Sequence, residues 1–336
     1  MNSSNQIKQF ILENISSHQR DIIKAAIHKF GISRQAILKH MNALINENRV
    51  IAHGKTRDRF YEIMPQVNYS KSIEITDEVS PSQILKNQIL PNFSTLNKNI
   101  YEICEFSIMA ILANTFEHSK ATRLNYKLFI TPTETHIFMS DNGLGIFSKI
   151  QDKLELGSTQ IAVIEVAKGH VTTDPKNHAG EELMTVIRLF DHVTIEASGL
   201  CLSYFSDSKN WSVTSSQQTN GTRFHLEIKT NSRRTCQETF HQIFNQENKS
   251  VRIPVNLIRA KNELVNSRSQ AKKLLLNIRE MEEIKFDFNN IELIGPAFAD
   301  ELIRTTKHKN DSADIKWVNS NETVDLLMSR AVDRLT

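Results

Sequence analysis

The hexapeptide Asp-Asn-Gly-Leu-Gly-Ile at residues 141–146 (DNGLGI) is the stretch on which the fold assignment depends. It follows residues 124–140, in which apolar and polar side chains alternate as they do in a pair of β-strands. Upstream, residues 100–119 carry apolar side chains at the three-to-four spacing of a helix. A helix and a strand pair therefore lead into a glycine-rich turn that contains Gly143 and Gly145.

Three further segments stand in order around this turn. Asn114 lies near the end of the upstream helix, within LANTFEHS. Residues 170–195 (HVTTDPKNHAGEELMTVIRLFDHVTI) are expected to form a polar, lid-like loop that leads into a helix, and residues 220–228 (NGTRFHLEI) are expected to form a strand near the Gly-Thr pair. Together with DNGLGI, these segments make residues 101–232 resemble the GHKL ATPase superfamily, which includes histidine kinases, anti-sigma serine kinases, gyrase and Hsp90.

This resemblance implies an α/β sandwich that binds ATP or ADP with Mg²⁺. By the resemblance, Asn114 is the metal residue, which holds Mg²⁺ against the phosphates, and Asp141 accepts a hydrogen bond from the adenine amino group. The residues that it implies for nucleotide binding are Asn114, Asp141, Gly143, Gly145, Gly180 and Thr222.

Two positions depart from the superfamily pattern. Ala110 stands four residues before Asn114, where members that hydrolyse ATP commonly carry a glutamate that orients or deprotonates the attacking group. Glu105 cannot replace it, because nine residues place it about 180° around the helix. Gly180 is followed by two glutamates, so Glu182 stands where a second phosphate-facing glycine is expected. These changes predict a pseudo-enzyme without catalytic residues. The alternative is that the two positions changed by neutral sequence drift and that the fold supplies another glutamate for catalysis.

Residues 1–66 are basic, since residues 1–65 contain ten Lys or Arg and five Asp or Glu. Periodicity predicts two short helices, a break at Gly31, a third helix after Ser33, and two β-runs joined by the basic turn GKTRD. This order resembles a winged helix-turn-helix, which binds double-stranded DNA; such modules also serve in protein docking or dimerisation. The DNA-contacting residues would be Ser33, Arg34, Gln35, Lys39, His40, Lys55, Arg57 and Arg59.

Residues 67–100 predict a linker, because the stretch from residue 64 to residue 100 holds three of the chain's seven prolines. In residues 248–336, strands alternate with helices, which predicts a small α/β sheet. Residues 284–304 (IKFDFNNIELIGPAFADELIR) resemble STAS-like domains related to anti-anti-sigma factors; an unrelated α/β domain is the alternative. In the anti-anti-sigma group a serine near the start of this helix accepts phosphate, whereas residues 295–297 here are Gly-Pro-Ala and have no hydroxyl.

Bulk features exclude several classes of protein. Apolar runs such as residues 107–114 fall far short of the roughly 20 residues that a bilayer span needs, and the N-terminus lacks the apolar core of a signal peptide. A cytoplasmic location without membrane contact is therefore expected. Cys104, Cys201 and Cys236 lack CxxC spacing, which argues against a disulfide framework and against a zinc site.

The sequence as a whole predicts a multidomain α+β protein with an N-terminal winged helix, a central GHKL α/β sandwich and a C-terminal small α/β STAS-like domain. The predicted function is a DNA-binding transcriptional regulator whose other domains sense, dock or dimerise. We expect a homodimer, with the GHKL-like region ranked above residues 322–332 as its interface. A protein partner that binds the GHKL-like or STAS-like region is a further expectation left open by the sequence. The alternatives are an active ATPase or serine kinase of a partner-switching pathway, and a protein-interaction module that does not bind DNA.

Overall fold

In the computed structural model, the described residues form three sheets of two, seven and three strands, with helices packed around them. The fold is mixed α+β. We refer to an N-terminal unit, a central unit and a C-terminal unit, one for each sheet. The structure describes residues 3–169, 182–244, 250–259, 263–278 and 281–334.

The N-terminal unit has a hydrophobic core of its own, separate from that of the rest of the chain. Three helices are followed by two antiparallel strands, in which Val50 pairs with Ile63 and His53 with Phe60. The second helix ends where Gly31 adopts a left-handed conformation with φ 65°. The third begins where the Ser33 hydroxyl accepts a hydrogen bond from the amide of Ala36. The elements are α1 (Ser3–Asn14), α2 (Ile22–Phe30), α3 (Arg34–Asn46), β1 (Val50–His53) and β2 (Phe60–Ile63).

The central unit is built on an antiparallel sheet of seven strands. Its strands are β3 (Val67–Glu74), β4 (Arg123–Ile130), β5 (Glu134–Asp141), β6 (His192–Ala197), β7 (Leu200–Phe205), β8 (Asn210–Ser215) and β9 (Thr222–Lys229). Their order is β3-β4-β5-β9-β6-β7-β8, so the last strand in sequence lies in the middle.

Among the described residues, the helices of the central unit cover one face of this sheet, and we call the other face the open face. Alternate residues of β4, β5, β9 and β6 are buried in one core with the apolar side chains of the helices. The helices are α4 (Pro81–Ile84), α5 (Lys98–His118), α6 (Ile146–Lys153), α7 (Thr159–Lys168), α8 (Glu182–Leu189) and α9 (Cys236–Phe244).

Residues 67–100, expected to form a linker, belong instead to the central unit. All eight residues of β3 pair with β4, and the side chains of Ile84, Ile89 and Phe93 are buried in the core. Two of the three prolines, Pro81 and Pro91, begin helical turns, where the missing amide hydrogen costs no hydrogen bond, and so they do not mark a linker.

The C-terminal unit has the alternating strands and helices that the sequence predicts. Its three strands are parallel in the order β10-β11-β12, and parallel neighbours need a crossover, which the intervening helices supply. The elements are β10 (Ser250–Pro254), α10 (Arg268–Leu274), β11 (Glu283–Asp287), α11 (Pro296–Lys309), β12 (Asp314–Val318) and α12 (Glu322–Asp333).

Helix α7 joins the central and C-terminal units, which share one continuous hydrophobic core. Lys168, at the end of α7, donates hydrogen bonds of 2.7 Å to the Glu165 carboxylate and of 2.7 Å to the carbonyl of Leu276 in the C-terminal unit. Burial lowers the pKa of Lys168 and raises the pKa of Glu165. The Asn256 side chain also donates to the carbonyl of Trp211 at 2.6 Å.

Among the described residues, no helix combines the length and the apolar composition that crossing a bilayer requires. The three cysteines are free thiols.

Candidate functional site

A cleft of about 920 Å³, its open mouth included, lies in the central unit between the C-terminal half of α5, the turn after β5 and the start of β9. Its walls include Asn114, Asp141, Gly145 and Thr222. Four of the six residues that the resemblance implied for nucleotide binding are thus brought together from three separate segments. Gly180, the fifth, lies outside the described residues.

Asp141 provides a carboxylate on the covered face of the sheet. It is the last residue of β5 and is only 7% exposed. Its Oδ1 accepts a hydrogen bond of 2.8 Å from the amide of Gly143. Burial raises the pKa of Asp141, although backbone hydrogen bonds from Gly143 and Thr222 oppose the effect. A buried carboxylate with spare acceptor capacity is suited to a ligand that donates hydrogen bonds, such as an aromatic amine.

Thr222 lies beside Asp141, at the start of β9. Its Oγ1 accepts a hydrogen bond of 3.0 Å from the amide of Ile146, which fixes the hydroxyl at the first turn of α6. A hydroxyl has one donor and two acceptor lone pairs, so a ligand in the cleft can still use the others.

Gly143 and Gly221 allow backbone segments of the protein to touch. A Cβ at Gly143 would lie 2.2 Å from the carbonyl oxygen of Ser119. A Cβ at Gly221, which has φ +68°, would lie 1.9 Å from the carbonyl oxygen of Asp141. The amide of Gly221 donates to the carbonyl of Gly143 at 2.7 Å. Gly143, expected to admit a ligand, therefore admits the end of α5 instead, while Gly145 does line the cleft.

Asn114 presents an amide on the opposite wall of the cleft. Its Nδ2 donates a hydrogen bond of 3.0 Å to the carbonyl of Ala110, one turn earlier in α5. The amide oxygen is therefore directed away from that carbonyl, and amide oxygens are ligands that Mg²⁺ accepts. Ala110 contributes only this carbonyl at the position where a catalytic glutamate was expected.

Three ionisable residues that sequence reasoning did not assign also line the cleft: Glu117, His118 and Lys149. Glu182, which the sequence analysis did single out, lines it as well. Lys149 lies one helical turn after Gly145 and donates a hydrogen bond of 3.0 Å to the carbonyl of His118. Burial, and next the nearby Lys153, lower the pKa of Lys149. The spacing Gly-x-x-x-Lys after the turn was the available signal, because residues four apart share a helix face.

The residues expected to contact DNA fall into two groups in the N-terminal unit. Arg34, Gln35 and Lys39 are exposed along α3, and Lys55 and Arg59 are exposed beside the turn between β1 and β2. The Arg59 guanidinium lies over the ring of Tyr61, 5.3 Å from its centroid. The side chain of Arg57 lies outside the described residues.

Ser33 and His40 have local partners instead. The exposed Ser33 uses its hydroxyl to cap α3. His40 is half-buried, with Nδ1 3.4 Å from the Ser4 hydroxyl, and burial together with Lys8 and Lys39 lowers its pKa. Of the two, His40 is the less suited to reach a base edge, because its ring faces α1.

Comparison with known families identifies the C-terminal unit. Residues 270–325, from α10 into α12, match a family described as a STAS-like domain of unknown function (DUF4325). The chain therefore has a STAS-like C-terminal domain, in which residues 295–297 begin α11 without a hydroxyl. No curated protein matches the chain.

Proposed function

We propose that the chain is a DNA-binding transcriptional regulator in which a winged helix-turn-helix is controlled by a GHKL-like body that binds an adenine nucleotide with Mg²⁺ and does not hydrolyse it. The observation that carries the proposal is the convergence of Asn114, Asp141 and Thr222 on one cleft. These residues come from a helix, a strand end and a distant strand, so their meeting is not a consequence of local sequence.

The two sides of the cleft suit the two ends of a nucleotide. Asp141 and Thr222 offer acceptors beside apolar side chains such as Phe224, which suits the amino edge and the flat surface of adenine. Asn114 and Lys149 offer an amide oxygen and a cation, which suits Mg²⁺ and phosphate.

The same cleft argues against turnover. Ala110 has no group that accepts a proton, and general-base catalysis needs one within hydrogen-bond reach of the attacking water or hydroxyl. Nucleotide would then act as a ligand that shifts the protein between conformations, provided that it binds one of them more tightly.

Calorimetric titration of the full chain with MgADP, MgATP and MgGTP tests this proposal. We expect adenine nucleotides to bind and MgGTP to bind at least tenfold more weakly. Asp141→Asn should weaken MgADP binding by at least tenfold, since an amide cannot serve the adenine amino group with the same acceptors. The matched control is Asp152→Asn, an exposed aspartate on α6. Equal binding by the parent and Asp141→Asn would contradict the assignment.

An active ATPase is the second candidate, because Glu117 lines the cleft three residues after Asn114. Hydrolysis of ATP that Glu117→Gln abolishes, without loss of MgADP binding, would favour this enzyme over the ligand sensor.

DNA binding is supported by the exposed cations on α3 and at the turn between β1 and β2. Replacing Lys55 and Arg59 with alanine should weaken binding to all duplex sequences and lower the slope of log K against log salt by about 0.9 for each lost phosphate contact. Arg34→Ala or Gln35→Ala should instead change sequence preference. Lys24→Ala with Lys29→Ala, two exposed lysines on α2, is the control.

A homodimer is part of the proposal, because two half-sites read by two copies give the affinity that one small module lacks. Light scattering on the full chain tests it: a monomer at micromolar concentration would remove the two-half-site arrangement.

A further inference from the structure

The open face of the seven-stranded sheet carries a row of aromatic and ionisable side chains that crosses five neighbouring strands. His225 lies two residues before Glu227 on β9 and therefore points to the same face. Strand pairing thus gathers three histidines and a glutamate that are far apart in sequence. The residues paired in register across the row are Phe129, His136, Glu227, His192 and Phe205, and His225 lies on the same face beside Glu227.

Three of these side chains have the spacing of metal ligands. His136 Nδ1 lies 3.2 Å from His225 Nε2 and 3.9 Å from Glu227 Oε2, and the ligand atoms of the three residues all lie within 4.8 Å of one another. Zn–N distances of about 2.0–2.1 Å in a tetrahedral site place neighbouring ligand atoms roughly 3.3–3.5 Å apart. The two nitrogens are within about 0.1 Å of this separation, and Glu227 Oε2 would have to come about half an ångström closer to His136 Nδ1.

The His136 ring is oriented by a second carboxylate. Its Nε2 lies 3.3 Å from Glu134 Oε2, and a neutral imidazole carries one N–H. The contact with Glu134 favours that hydrogen on Nε2 and leaves the lone pair of Nδ1 facing His225. A carboxylate that accepts from the outer nitrogen of a metal-bound histidine is a recurring arrangement in zinc proteins.

The His225 ring is held by aromatic stacking. The Phe138 ring lies parallel to it, with centroids 4.1 Å apart and planes 10° from parallel. This stacking holds the His225 ring with its Nε2 towards His136 Nδ1.

We propose that His136, His225 and Glu227 form a binding site for Zn²⁺ on the open face of the sheet. Two imidazoles and one carboxylate suit zinc, whereas Mg²⁺ and Ca²⁺ prefer oxygen ligands alone. His192, with Nδ1 3.7 Å from Glu227 Oε2, lies next along the row and can complete the fourth position, which water otherwise takes. This site is separate from the nucleotide cleft on the covered face.

Zinc titration of the full-length chain, without a histidine tag and after removal of metal by EDTA and dialysis, tests the site. Calorimetry with ZnCl₂ is expected to show one Zn²⁺ per chain. His136→Gln and His225→Gln should each weaken binding at least tenfold, and Glu134→Gln about tenfold through the orientation of His136. His308→Gln, an exposed histidine on α11, should bind as the parent does.

Two measurements keep the test independent of folding defects in the variants. Circular dichroism in EDTA establishes that each variant is folded, and only folded variants are compared. X-ray absorption of the zinc-loaded parent should show at least two imidazole ligands per zinc. Absence of stoichiometric binding, unchanged binding by a folded His136→Gln variant, or fewer than two imidazoles at the zinc would each overturn the proposal.

Discussion

Two regions of the central unit, the cleft and the open face of the sheet, use alternate residues of the same two strands for different chemistry. Asp141 on β5 and Thr222 on β9 face the helices and line the cleft. His136 and His225, on the same strands, face the other way and contact each other. The cleft depends on strand ends and on turns that touch through their backbones, whereas the open-face cluster depends on register between strands. The first should therefore be sensitive to backbone changes, and the second to individual side chains.

The largest effect is expected from Gly221→Ala. The new Cβ would lie 1.9 Å from a backbone carbonyl at φ +68°, so the turn would have to open, at a cost on the order of 3 kcal/mol of unfolding free energy. Gly199→Ala is the control, because Gly199 has φ +77° and nothing within 4 Å of its Cβ position. It isolates the conformational cost, about 1 kcal/mol. Urea unfolding measures the free energy of unfolding of both variants. An equal decrease in the two would show that the close backbone contact at Gly221 does not matter for stability.

A smaller effect, confined to the cleft, is expected from Glu182→Gln. Glu182 is the first residue of α8 and lines the cleft, where a carboxylate repels the terminal phosphate of ATP. Removing the charge should tighten MgATP binding by roughly tenfold relative to MgADP, within the range that one charge pair supplies near a surface. Glu322→Gln changes the first residue of α12 and should leave both affinities unchanged. A Glu182→Gln variant with an unchanged ratio of MgATP to MgADP affinity would place the phosphates elsewhere.

The smallest effect is a gain in the melting temperature of the ligand-free protein on Asp141→Asn. Because burial raises the folded-state pKa of Asp141 above its ordinary value of 3.8, stability is lost as the carboxyl ionises with rising pH. The uncharged asparagine side chain removes the free-energy cost of burying a charge, and its oxygen can still accept the hydrogen bond from the backbone N–H of Gly143. The gain should be present at pH 7 and absent near pH 4, as differential scanning fluorimetry can measure. A lower melting temperature at pH 7 would mean that the charge stabilises the fold and is not retained for a ligand.

The amino-acid sequence predicted the C-terminal alternation of strands and helices, since periodicity and short connections are local properties. It also singled out Asn114, Asp141 and Thr222, because each lies in a short contiguous motif. The partner of Gly143 was misjudged, since sequence cannot distinguish a glycine that admits a ligand from one that admits another turn.

The histidine cluster was not accessible from sequence. His136 and His225 are separated by 89 positions, and a shift of one residue in register would send either ring to the covered face. Cysteine spacing indicates only zinc ligands that are close in sequence, whereas His136, His225 and Glu227 are brought together only by strand pairing.

Helix α7 has a consequence for how the chain responds to heat. If the C-terminal unit separated, Lys168 would lose its hydrogen bond to the carbonyl of Leu276, whereas Glu165, which lies on the same helix, would stay beside it. Because one hydrophobic core extends across the two units, we expect the part of the chain from β3 to α12 to melt in one cooperative step. The N-terminal unit, with a core of its own, is free to melt at a temperature of its own.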